Sequence, residues 1–131
     1  MGMSEVAAAK REVLQRAVLA LAQPADVQLS LFPDFVCKAD ELALGFEDGL
    51  YELVGHEDEI TGEQQVNLEA LDRLLSGMSD SQDASVWTEE ALRTHPAWVE
   101  VRLAAAATAA AFGWELTGPM QSGAIYIPSS K

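Results

Sequence analysis

The chain has 131 residues, 49% apolar and 22% charged, which is the size and balance of one globular domain with its own core. Its 21 acidic residues outnumber 8 basic ones, giving a formal charge of −13. That balance disfavours nucleic acid and anionic membranes as partners, because phosphate recognition draws on lysine and arginine.

Residues from about Ser4 to Ala22 are predicted as an amphipathic first helix, capped by Ser4 and closed by Pro24. Val6, Val13, Ala17 and Leu21 share its apolar face, while Lys10, Arg11 and Arg16 are basic; Glu12 and Arg16 stand at i,i+4. From Val27 to Phe32 apolar and polar residues alternate ahead of Pro33, the pattern of either a short strand or an extended linker. A strand there needs a partner, and the apolar run Ala124 to Ile127 is the candidate.

A second helix is predicted from Asp40 to Val54, with Leu42, Phe46, Leu50 and Leu53 forming one stripe. Gly45 and Gly49 weaken it but let a neighbouring backbone approach, and Gly55 suits a left-handed ending. Thr61-Gly62-Glu63-Gln64 reads as a capping box opening a third helix. Val66, Leu71, Leu74 and Leu75 are placed inward, with Gly77 as the stop and Met78 to Ser85 as a loop. Thr88 caps a short helix over Glu89 to Thr94, and His95-Pro96 begins the last one, running to about Phe112 and ended by Gly113. Trp98, Val101, Ala105, Thr108 and Phe112 make its inner stripe, and the alanines from Ala104 to Ala111 permit close packing. Residues 114–131 read as an extended arm. The expected fold is an all-α single-domain bundle of four to five helices over 1–131, with at most a minor short β pairing.

Familiar catalytic patterns fail here. His56-Glu57-Asp58-Glu59-Ile60 begins like a zinc-protease helix but has Ile60 where the second histidine belongs. Asp80 to Asp83 lacks the oxygen spacing and central glycine of a calcium hand, and no phosphate-cradling glycine loop is present. The lone Cys37, beside Phe35 and Val36, forms no intrachain disulfide and reads as a small buried hydrophobe. A nucleophile pair with His56 or His95 stays open, although His95 beside Pro96 reads first as a helix boundary. Glu41, Asp48 and Glu52, at i, i+7 and i+11 with His56 just beyond, are the best metal-ligand candidates. A solvated acidic face accounts for them more simply, so no metal, cofactor or catalytic residue is assigned. Trp98 is expected in the core, whereas Trp87 and Trp114 lie beside loops and suit either packing or partner anchoring.

One feature calls for an explanation. Between Lys38 and Arg73 there is no basic residue, and eleven carboxylates crowd the interval. Solubility explains them if Lys10, Arg11 and Arg16 fold over part of the patch; docking of a basic protein explains them by complementary potential. The favoured reading is a non-enzymatic protein-binding module of the inhibitor, immunity or chaperone kind. Glu41, Glu47, Asp48, Glu52, Glu57, Asp58, Glu59 and Trp87 would face the basic partner. The alternatives are a carboxylate-rich metal-binding or enzymatic bundle, and a homo-oligomer joined through the apolar face of the alanine-rich helix. No membrane span or secretory signal is expected, and the cytoplasm is the default compartment.

Overall fold

In the computed structural model, the described residues are 2–116, with side chains described for 12–56 and 58–116. Among them lie six α-helices and no strand: α1 (Gly2–Ala22), α2 (Ala25–Ser30), α3 (Lys38–Glu52), α4 (Gly62–Asp80), α5 (Glu89–Thr94) and α6 (Pro96–Phe112). Two single 3-10 turns, Glu57–Glu59 and Ala84–Trp87, sit in the connections. The all-α expectation holds, with more helices than the four to five expected. Ala124 to Ile127, and most of the expected C-terminal arm, lie outside the described residues.

Two helices form the centre. α1 packs along α3 on one side and α6 on the other, and α6 carries α4 on its far flank. The order across the molecule is therefore α3, α1, α6, α4. α3 and α4 make no comparable backbone approach to each other among the described residues. The core is built from Leu14, Val18 and Leu21 of α1, Leu42 and Phe46 of α3, Leu71 and Leu75 of α4, and Trp98, Val101 and Ala105 of α6. Small residues set the closest approach. A Cβ on Gly49 would stand 2.7 Å from the Leu14 Cα, so α3 can lie on α1 only because that position has no side chain. At Gly45 the nearest atom to such a Cβ would be the Ala17 Cβ at 3.8 Å, an ordinary contact.

The segment with strand-like alternation is helix α2. Its interior position, Gln28, is fully buried, and its Nε2 donates to the carbonyls of Leu21 (3.0 Å) and Ala20 (3.2 Å). These are among the carbonyls that the end of α1 leaves without helical partners. Alternation over six residues is too short to settle a period, and here the tertiary hydrogen bonds to α1 decide. Gln28 Oε1 in turn accepts from Arg102 Nη1 at 3.0 Å, and the same nitrogen donates to the Leu92 carbonyl of α5 at 3.0 Å. Partial burial holds the Arg102 guanidinium below its ordinary pKa through loss of hydration. One polar node thus ties α1, α2, α5 and α6 together.

Helix ends follow the sequence cues with three exceptions, the first being α3, which ends at Glu52 under a right-handed cap at Leu53 so that Gly55, at φ 92°, lies beyond its end. The Thr61/Gln64 capping box is complete, with Gln64 N–H donating to Thr61 Oγ1 at 3.1 Å and Thr61 N–H donating to Gln64 Oε1 at 2.9 Å. Thr88 caps α5, His95 Nδ1 accepts from the Ala97 N–H at the start of α6, and Gly113 ends α6 at φ 76°. Gly77, however, does not stop α4, which continues to Asp80 because Met78 is buried. The left-handed residue beyond α4 is Gln82, at φ 59°. Ser4 likewise lies inside α1 rather than at its cap. Two inward assignments also change: Val66 is 64% exposed while Leu68 is buried, and Val13 is half out while Leu14 is fully covered.

Candidate functional site

The acidic interval maps onto α3, the following turn and the first half of α4. At about 100° per residue, Glu41, Asp48 and Glu52 fall on one edge of α3, and Glu47 falls with Leu50 on the other. Glu41 and Glu52 are half-buried, whereas Glu47 and Asp48 are exposed. The carboxylates therefore straddle the helix instead of forming one stripe. Asp58 and Glu59 are exposed in the 3-10 turn that follows, and Glu59 Oε2 lies 2.9 Å from His56 Nδ1. Glu57 belongs to the same turn.

On α4, Gln65, Glu69 and Asp72 share one side of the helix at i, i+4 and i+7, and Gln65 Nε2 donates to Glu69 Oε2 at 3.1 Å. That side faces the C-terminal end of α3 across an open groove of about 160 Å³. Leu50, Leu53, Ile60 and Leu68 line it, with Glu69 and Asp72 beside them. The groove exists because α3 and α4 rest on different central helices, which leaves their mutual seam unfilled.

Few cations reach this face. Lys38, buried at the start of α3, turns its ammonium to Asp34 (3.1 Å) and Glu89 (3.8 Å), away from the acidic interval. Glu57 and Glu59 aside, no carboxylate between Asp40 and Asp72 lies within ion-pair distance of a described lysine or arginine. The described Arg16 and Arg73 are both exposed; the side chains of Lys10 and Arg11 are outside the description. Among the described residues no three histidine, cysteine, aspartate or glutamate side chains converge as a metal site, so Glu41, Asp48, Glu52 and His56 are not drawn into a ligand set. No helix there is long and apolar enough to cross a membrane.

Trp87 is placed at the Glu41 end of α3, apart from the candidates on the 57–59 turn. Its ring is half-buried and meets Trp98 edge-on at 5.9 Å and 82°. Its carbonyl accepts from Cys37 Sγ at 3.4 Å, at the N-terminal end of α3. The turn carrying Asp58 and Glu59 follows the other end, one length of α3 away, roughly 22 Å. Trp98 is fully buried, as expected, and its Nε1–H donates to the Val86 carbonyl at 2.8 Å. Trp114 stacks on Phe112 with ring centres 4.3 Å apart. Cys37 corrects the expectation of a buried hydrophobe: it is exposed at the N-cap of α3, where its thiol meets the Trp87 carbonyl and not the apolar core.

Comparison with protein-family models, with curated proteins and with solved structures returned no match to this chain. The functional reading therefore rests on this geometry alone. The sequence pattern missed the groove and the Gln28–Arg102 node. Asp34 at i−4 from Lys38 was a visible signal for that ion pair, whereas nothing local marks the groove, which arises from how four helices are ordered.

Proposed function

We propose that this chain is a small non-enzymatic protein-binding module that docks a basic partner through the acidic face of α3, the 57–59 turn and α4. The observation that supports it is the set of carboxylates between Asp40 and Asp72, Glu57 and Glu59 apart, that stand without lysine or arginine partners among the described side chains. Folding gains nothing from such one-sidedness, since like charges at i,i+4, as at Asp48 and Glu52, cost a few tenths of a kcal/mol each. Opposite potentials across an interface speed encounter and reject wrong partners, which is what this charge distribution is suited to do. Affinity capture from a cell extract tests the reading, comparing the chain with its Glu47→Lys/Asp48→Lys variant. Basic polypeptides retained by the first and lost by the second, at an ionic strength of about 0.15 M, support it. Weak association with every cationic protein offered, abolished by that salt, overturns it.

A second reading has its own support. α6 keeps an apolar outer face as well as an inner one: Val99 and Leu103 are 45% and 68% exposed, and Ala107 and Ala110 are exposed beside them. Apart from the exposed Glu100 at its edge, the helix carries no carboxylate from Pro96 to Phe112, so this face meets a second copy with less repulsion than the acidic face would impose. Light scattering at two concentrations checks it: a mass that rises with concentration and falls back in Leu103→Glu favours self-association, and a constant monomer mass removes it.

A further inference from the structure

The groove beside α4 combines two chemistries that the acidic face alone does not. Its floor is aliphatic, from Leu50 and Leu53 at the end of α3, Ile60 in the connection and Leu68 of α4. Its rim is anionic, from Glu69 and Asp72. Leu50 and Ile60 are half-buried, so the floor is open to a side chain entering from solvent. The last turn of α3 carries no basic residue, which leaves the partial negative charge of that helix end uncompensated at the groove.

Resting on the binding reading above, we infer that this groove receives a cationic amphipathic segment of the partner, with aliphatic side chains on the leucine floor and lysine or arginine beside Glu69 and Asp72. Size and charge select that occupant. At about 160 Å³ the groove is smaller than the ~300–1,000 Å³ pockets that enclose small organic ligands, so it suits one or two inserted side chains. The carboxylate rim repels nucleotides, anionic lipid headgroups and acidic peptides. A second copy of this chain, itself at −13, meets the same repulsion. A purely polar cation gains from the rim but leaves the half-buried Leu50 and Ile60 wet. An amphipathic segment laid along a helix-lined groove satisfies both.

The test uses the full chain and three synthetic peptides: one with a leucine face and a lysine face, one with the same leucines and glutamate for lysine, and one with the lysines but no leucines. Backbone amide shifts locate binding, and titration at about 0.15 M salt measures it. The leucine–lysine peptide is expected to bind alone among the three, shifting amides of residues 50–53, 60 and 65–72. Ile60→Ser on the floor and Glu69→Gln on the rim should each weaken it about tenfold. Glu69→Gln changes an exposed side chain, so it stands as the folding-independent control, and the amide spectrum verifies that the Ile60→Ser chain remains folded. If the lysine-only peptide binds as tightly, or shifts appear only elsewhere on the acidic face, the groove inference falls and the acidic docking reading stands. If basic proteins are captured but no peptide binds, the same conclusion holds. If no cationic probe of any kind binds, both fall together.

Discussion

The α1–α6 centre and the α3–α4 seam are made from neighbouring pieces of the same four helices, yet they are opposite in construction. In the centre, large apolar residues are interspersed with alanine, α3 lies against α1 at Gly49, and Leu14, Val18, Trp98, Val101, Ala105 and Ala109 are all fully covered. Along the seam the helices approach each other far less closely, aliphatic side chains line an open groove and carboxylates flank it. Tight helix contact needs small residues where backbones approach, and uncompensated charge needs water. The chain separates the two requirements spatially, so a change on one side is expected to move stability and a change on the other to move binding.

The sharpest way to break that contrast is at its buried side. Trp98→Ala removes the largest fully buried ring and leaves the Val86 carbonyl without its donor, and should cost about 3–5 kcal/mol in a denaturant titration. Gly49→Ala drives a methyl group into the Leu14 backbone and should cost about 1–3 kcal/mol. Gly45→Ala, one turn earlier on the same helix, has room for its methyl and should be neutral or stabilising by up to ~1 kcal/mol. Equal effects at the two glycines would refute the packing account. Gln82→Gly relieves a left-handed backbone position and should raise stability by about 0.5–1 kcal/mol.

On the open side the stability effects should be small. Glu69→Gln with Asp72→Asn removes two like charges at i,i+3 and should shift stability by only a few tenths of a kcal/mol, read from the same titration. A loss as large as that at Gly49 would mean these carboxylates hold the fold and would end the division proposed between the two regions. Asp83 gives the smallest effect and a definite sign. The Ser85 hydroxyl and backbone N–H, donating to its carboxylate, hold its pKa below the ordinary value. Its contribution is therefore present above the ordinary aspartate pKa and lost as pH falls through the lower, folded one. Asp83→Asn should remove that small contribution at neutral pH, leave strongly acidic pH nearly unchanged, and so flatten the acid limb of the stability–pH curve.

Local signals were legible wherever one side chain and its near neighbours carry the physics. The Thr61/Gln64 box, the Thr88 cap, the His95-Pro96 boundary and the Gly113 stop are contacts within four residues, so residue type and spacing suffice to see them. Gln64 shows where such reading ends: its Oε1 completes the box, while its Nε2 donates to the Ala111 carbonyl at 3.2 Å, a partner distant in sequence that caps α6. Gly77 misled because a glycine ends a helix by taking a left-handed backbone, and Gly77 does not take one: the helix runs on through the buried Met78 to Asp80. Val27 to Phe32 misled because its decisive hydrogen bonds run to α1 and α6. The acidic interval was plain in the sequence, but its carboxylates could not be assigned to edges, turns and groove before the helices were placed.

What residue order alone determined was an all-α fold, the caps and breaks that delimit most of its helices, the inner stripe of α6 and an anionic middle third. These depend on periodicity, capping and charge counts, which act over one or two turns. Only the tertiary arrangement decided that Cys37 is exposed, that Gln28 and Arg102 share a polar node, and that α3 and α4 stand apart with a leucine-floored, acid-rimmed groove between them. The reason is geometric: a gap between two helices is set by the two other helices on which they rest, and no stretch of either one encodes it.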